Sequence, residues 1–128
     1  MVEKICLDSD IIIEILKDNQ ELKEKLEFMV RTEDELCTTS INIFETWSGR
    51  ENNEAFRLFL EELYRFPFEE ESAKKAAVMF NEMKKKGLMI EPRDIFIAAI
   101  CITHQLSLLT NNKKHFERLQ QFGLKLIQ

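Results

Sequence analysis

Residues Lys4–Leu16 read KICLDSDIIIEIL. Ile5, Cys6 and Leu7 form a short apolar run that stops at Asp8, which is the pattern of a buried β-strand ending in a carboxylate. Ser9 or Asp10 is placed to cap the helix that follows, Ile11 to Lys17. That helix is apolar nearly all round (Ile11, Ile12, Ile13, Ile15 and Leu16), so it is expected to be buried rather than to lie on a wet surface. A strand, an acid and a buried helix in direct succession make a β–α unit of a parallel sheet.

The rest of the chain repeats this alternation. Residues 19–32 read as a more polar helix, and Glu35-Leu36-Cys37-Thr38 as a second strand, with Ser40 capping a helix through Ile41, Phe44 and Glu45. Phe56, Phe59, Leu60 and Leu63 fall on one helical stripe, and Ala73, Ala76, Ala77 and Phe80 repeat that spacing in the next helix, which Gly87 ends. Pro92 suits the first turn of another helix, which is very apolar from Arg93 to His104. Leu106–Thr110 is a strand, Lys113–Gln121 a short helix and Leu124–Ile127 a last strand. The expected fold is therefore a three-layer α/β/α sandwich around a short parallel sheet. With 128 residues, three glycines, two prolines and no linker or repeat, a single domain over residues 1–128 is expected.

Composition excludes several classes. No apolar run approaches the ~18 residues of a membrane span, and the start has no basic segment leading into a long apolar one, so a cytoplasmic protein is expected. Cys6, Cys37 and Cys101 are odd in number and far apart, which points to reduced, buried thiols and away from a zinc site. His104 reads as a helix-end residue, and no serine stands in a nucleophile-elbow context. The net charge of −5 argues against a general nucleic-acid coat, but its distribution is uneven. Residues 84–128 carry 8 basic and 3 acidic side chains in an otherwise acidic chain. A solvated surface has this asymmetry by chance; a phosphate-contacting edge beside an acidic site has it for a reason.

Ligands of open parallel sheets bind beyond the carboxyl ends of the strands. Asp8 closes the first strand there, and Thr110-Asn111-Asn112 follows a later one. Glu45 lies one turn into a helix among Ile43, Phe44 and Trp47, where a carboxylate needs a partner or a metal. Asp94 lies in a first helical turn, which by itself is an ordinary place for an acid. Three carboxylates converging on one edge repel one another unless a cation joins them. Mg²⁺ or Mn²⁺ suits such hard oxygen donors, and a divalent cation lowers the pKa of water and clamps phosphate oxygens. Arg93, Lys113, Lys114 and Arg118 flank the acids in sequence and are candidates for contact with nucleic-acid phosphates; Lys84, Lys85 and Lys86 read as a solvated helix end. Trp47 reads as packing beside Glu45, with base stacking as the alternative.

Four segments carry a resemblance. LDSDIIIEIL (Leu7–Leu16) resembles the opening of PIN domains, SINIFETWSG (Ser40–Gly49) the helix bearing that family's Glu, IEPRDIFIAAI (Ile90–Ile100) its Asp-x-x-Ile-Ala-Ala segment, and LSLLTNNKKHF (Leu106–Phe116) its closing strand and turn. The order and spacing agree along the whole chain. The resemblance implies a Mg²⁺- or Mn²⁺-dependent endoribonuclease with Asp8, Glu45 and Asp94 at the metal and Asn112 as a neutral donor or water orienter. Ser9 and Thr110 would be hydroxyls that fix the carboxylates. Short members of this kind resemble VapC toxins, which implies a homodimer held inactive by a VapB-type antitoxin. The apolar Ile95–Ile102 stretch argues for a dimer on its own, since a helix against one sheet buries only one side. The chain departs from the family where a fourth acid is expected, at the position of Asn112 or of His115. That departure keeps two alternatives open: an inactive PIN domain that binds RNA or protein, and a non-toxin PIN nuclease of RNA processing.

Overall fold

The computed structural model describes residues 3–127. Its sheet has five parallel strands in the order β3-β2-β1-β4-β5, formed by β1 (Lys4–Leu7), β2 (Glu35–Thr39), β3 (Tyr64–Phe66), β4 (Ser107–Leu109) and β5 (Lys125–Leu126). The helices are α1 (Ser9–Leu16), α2 (Gln20–Arg31), α3 (Ser40–Trp47), α4 (Glu54–Glu61), α5 (Glu70–Lys85), α6 (Pro92–His104) and α7 (Lys113–Glu117), the last running into a 3₁₀ turn at Arg118–Phe122. The three-layer α/β/α arrangement read from the sequence is thus the one adopted.

Side-chain alternation along the strands divides the core in two. From β1, Ile5 and Leu7 join Ile11, Ile12, Ile15, Leu26, Phe56 and Leu60 of α1, α2 and α4. Cys6 points the other way, to Met79 and Met83 of α5 and to Ile95, Ala98 and Cys101 of α6. The three cysteines are free and buried, as expected.

Several local expectations are corrected. The first helix is capped by Asp8 itself, whose carboxylate accepts a hydrogen bond from the Ser9 amide, rather than by Ser9 or Asp10. Thr39, not Ser40, caps α3, accepting from the Asn42 amide; the Ser40 hydroxyl instead accepts from Phe68 N across to the next loop. The buried stripe of α5 is Ser72, Ala76, Met79 and Met83, while Ala73, Ala77 and Phe80 face outward. Strand β3 was not anticipated.

The second face of α6, on which a dimer was expected, is also covered within the chain. Ile95, Ile97, Ala98, Ala99, Ile100 and Cys101 are all buried, because α5 covers the side of α6 that the sheet does not. The open apolar surface of this layer is instead a groove between α5 and the start of α6, lined by Phe68, Ala73, Ala77, Phe80 and Phe96 among others.

Candidate active site

All strands being parallel, their carboxyl ends share one edge, and the acids gather there. Asp8 is 5 % exposed. Its Oδ1 accepts from Ser9 N (2.8 Å) and from Asn42 Nδ2 (2.9 Å), and its Oδ2 from Thr110 Oγ1 (2.6 Å). The backbone beside it is fixed too, since Asp8 N continues the β1–β4 ladder to Leu109 O (3.0 Å). These donors are neutral, so they orient the carboxylate without cancelling its charge.

Ser9 and Asn42 extend this framework to Glu45. Ser9 Oγ donates to Glu45 Oε1 (2.5 Å) and accepts from Asn42 Nδ2 (2.9 Å). Asn42 is fully buried, and its own Oδ1 accepts from Thr39 Oγ1 (2.7 Å). One amide therefore couples the end of β1 to α3. Asn42 was missed in the sequence. The signal that drew attention to Glu45, a polar residue inside an apolar helix, applies equally to an Asn between Ile41 and Ile43.

Asp10 was read only as a cap. In the fold its Oδ2 accepts from Asn111 N (3.0 Å) and lies 3.5 Å from Thr110 Oγ1, while its Oδ1 is buried with no hydrogen-bond partner. Burial, followed by repulsion from Asp8, raises its pKa to about 6. Asp10 thus adds a fourth carboxylate to this edge.

The other rim is the start of α6. Asp94 is raised to about 6, first by burial, then by the charges of Asp8 and Glu91, with Glu45 adding to the effect and His115 opposing it. His115 Nδ1 stands 3.6 Å from Asp94 Oδ2. Arg93 reaches across, with Nη1 3.8 Å from Glu45 Oε2 and Nε 3.3 Å from Glu91 Oε1. A cleft of about 330 Å³ opens beside Asp94, lined by Met89, Ile90, Glu91, Lys114, His115 and Arg118. Lys114 and Arg118 thus border the acids, whereas Lys113 is not in the cleft lining. Asn112 contributes its backbone N to Thr110 Oγ1 (3.0 Å); its side chain is exposed and makes no cap bond to α7.

Among the described residues no three acidic, histidine or cysteine side chains form a preassembled metal cage. The donor chemistry nevertheless fits a hard divalent cation. The donors are carboxylate oxygens with amide and hydroxyl neighbours, Asp8 is rigidly held, Asp10 Oδ1 has no partner, and Asp94 is set against other acids.

Comparison with known proteins bears on the family and the fold. The model of the PIN domain matches residues 5–121. The chain is 30 % identical over 123 residues to Ribonuclease VapC1 of Methanocaldococcus jannaschii, covering 96 % of this chain and 86 % of the relative. It is 29 % identical over 126 residues to Ribonuclease VapC2 of Haemophilus influenzae, covering 91 % and 92 %. In structure it resembles a chain of VapBC2 from Rickettsia felis, crystallised bound to a DNA fragment from its promoter, with a TM-score of 0.85, 26 % identity and 97 % of each chain covered. VapBC-1 of nontypeable Haemophilus influenzae shares the fold, with a TM-score of 0.82, 23 % identity, and 97 % and 96 % covered.

Proposed function

The chain belongs to the PIN-domain family, and from that premise we propose that it is an endoribonuclease and the toxin of a VapBC-type pair, its 128 residues forming one nuclease domain. The observation that carries this reading is the coupling of Asp8 and Glu45 through Ser9 and Asn42, beside an Asp94 raised to about 6. Asp8, Glu45 and Asp94 would hold Mg²⁺ or Mn²⁺ directly or through water. When bound, the cation would supply Lewis acidity toward phosphate oxygens and lower the pKa of an attacking water. Ser9, Asn42 and Thr110 keep the carboxylates oriented, and Lys114 and Arg118 draw the phosphate chain against the repulsion of the acids. Arg93 offers a further phosphate contact at the rim, and Lys113 one farther along the same basic turn.

The partners follow from the same reading: RNA as substrate, and a VapB-type antitoxin whose basic side chain would compete at the acidic mouth. A second copy would pack on the apolar groove of α5 and α6. No helix among the described residues is long and apolar enough to cross a membrane, and a cytoplasmic site of action accords with an RNA target.

Incubation of the purified protein with total RNA tests the enzyme. Cleavage with Mn²⁺ that stops on addition of EDTA is expected; intact RNA under both conditions would overturn the nuclease. Co-purification with the product of a neighbouring small gene tests the toxin role separately. Asn112, standing where the family's fourth acid is expected, favours one second reading, a PIN domain that binds without cutting. A calorimetric titration that finds no Mn²⁺ bound at millimolar levels would select it.

A further inference from the structure

The aromatic side chain free at the mouth of the site is Phe44 rather than Trp47. Trp47 packs on Phe56 with ring centroids 5.3 Å apart, and with Ile43 it lies against the core of α1, α2 and α4. Ile41 packs against the opposite core, and Asn42 and Thr46 are buried. This leaves Phe44, directly before Glu45, to project outward, and it is 59 % exposed. It does not stand alone. The Arg93 guanidinium lies over its ring, 6.0 Å from the centroid, and the same guanidinium reaches toward Glu45 Oε2. An exposed phenyl ring, a half-exposed arginine and a proposed metal ligand therefore sit side by side, and Asp94, next to Arg93 in the chain, lines the cleft that Lys114 and Arg118 border.

We propose that Phe44, with Arg93, is a stacking platform for one unpaired RNA base next to the phosphate that is cut, and that it makes the enzyme select single-stranded over duplex RNA. The inference rests on the ribonuclease reading of the site. Every base has an apolar face that lies well on a phenyl ring, and an arginine beside the ring adds stacking and phosphate attraction. A base inside an A-form duplex is already stacked on its neighbours and has no free face to offer, whereas a splayed base in a loop or single strand does. The acids at this edge repel phosphate, so a contact that draws on the base rather than on charge is what Phe44 can add without neutralising the metal site. Arg93 is thereby given Glu91 and Glu45 as partners in the free protein and the RNA as a further one in the complex.

The test uses the Asp8→Asn chain in EDTA, so that binding is read without cleavage. Fluorescence anisotropy follows one short labelled oligoribonucleotide, unpaired and then annealed to its complement. Phe44→Ala should weaken binding of the unpaired strand roughly tenfold, the order expected for one lost base–aromatic stack, and leave the duplex within about twofold. Phe44→Trp should keep the parent's affinity, since a larger ring stacks at least as well. Unchanged binding of the unpaired strand by Phe44→Ala would overturn the proposal, as would an equal loss for both RNAs. So would a change in oligomeric mass by light scattering that accompanies the loss, because Phe44 would then belong to a protein interface. Cleavage by the chain with Asp8 intact separates the two readings. If that chain does not cut RNA with Mn²⁺, the ribonuclease reading fails; if it cuts and Phe44→Ala has the parent's KM on unpaired RNA, only the stacking platform fails.

Discussion

Asp8 and Asp94 face the same space and are held in opposite ways. Asp8 is almost wholly buried and receives three hydrogen bonds from neutral donors, Ser9 N, Asn42 Nδ2 and Thr110 Oγ1. Asp94, its side chain 20 % exposed, stands at the start of a helix, where burial first and then the charges of Asp8 and Glu91 raise its pKa to about 6 against the opposing imidazole 3.6 Å away. The first acid is fixed in geometry. The second is held under electrostatic stress, which a divalent cation would relieve. A site divided in this way has one rim that sets position and one whose charge state answers to what binds.

Breaking the positioning rim should have the largest effect. Asp8→Asn keeps the shape and removes the charge, and RNA cleavage with Mn²⁺ should fall roughly 10²-fold or more while circular dichroism stays that of the parent. Cleavage at the parent's rate would move the active site elsewhere. Next comes Asn42→Ala, which leaves Asp8 in place but removes a donor to it and to Ser9 and strips Thr39 Oγ1 of its acceptor. The loss of a fully buried, fully bonded amide should cost about 1–3 kcal/mol in urea denaturation, and cleavage should fall ~10- to 100-fold as Asp8 and Glu45 lose their common support. A stability loss with cleavage unchanged would show that the amide serves the fold alone.

The positioning rim was only half legible in the sequence, and the reason is physical. Strands such as Ile5-Cys6-Leu7 and the buried helix after them announce themselves by an apolar pattern, so the layers and the sheet edge could be read. Asp8, Glu45, Ser9 and Thr110 followed from that edge together with the family resemblance. Asp10 did not, because its role exists only once α1 and the turn after β4 meet; locally it is an ordinary residue near a helix start. Asn42 carried the local signal of a polar side chain between Ile41 and Ile43, but the groups it bonds, Asp8 and Ser9, reach it only once α1 and α3 meet. Strand β3 escaped for another reason. It has three residues at the sheet margin, with Tyr64 and Arg65 exposed, and therefore no apolar run to see. In α5 the alanines gave no phase of their own, and Met79 and Met83 fix which side faces inward. That error hid the helix covering α6 and made its second face look free.

The stressed rim predicts an unusual pH dependence for the metal-free protein. Asp94 and Asp10 have folded pKa values raised from 3.8 to about 6. A raised folded value means the folded state binds the proton more tightly than the unfolded one. The stabilisation is therefore complete below about pH 4 and lost as pH rises through 6. In EDTA, the melting temperature should thus climb between pH 7 and pH 5. Both groups keep part of their side chains in water, so screening reduces their effect to on the order of 1 kcal/mol, or a few degrees. Asp94→Asn should recover much of that at pH 7 and flatten the profile. A melting temperature that falls steadily from pH 7 to 5, with no gain in Asp94→Asn, would remove the contrast between the two rims.

The smallest effect is expected at the corner where the family's fourth acid is missing. Asn112→Asp would place a carboxylate at the turn after β4. The alternative role for Asn112, capping α7, is not the one it plays, since its side chain makes no cap bond and only its backbone N is engaged, with Thr110 Oγ1. A new charge there would attract a divalent cation by roughly 4 kcal/mol at ~4 Å and an effective dielectric constant near 20, before costs. Two costs are large. The side chain is exposed, so water screens it. Asp10 already brings a carboxylate to this turn through Asn111 N, so the added charge meets repulsion from an acid next to it as well as from Asp8. The net gain should be about 1 kcal/mol, several-fold in Mn²⁺ affinity by calorimetry. The Asp10→Asn chain sharpens the comparison. If Asp10 stands in for the missing acid, its removal should weaken Mn²⁺ binding several-fold, and Asn112→Asp should restore more affinity in that background than in the parent. Equal Mn²⁺ affinities in all four chains would take both residues out of the site and leave Asp8, Glu45 and Asp94 to hold the cation alone.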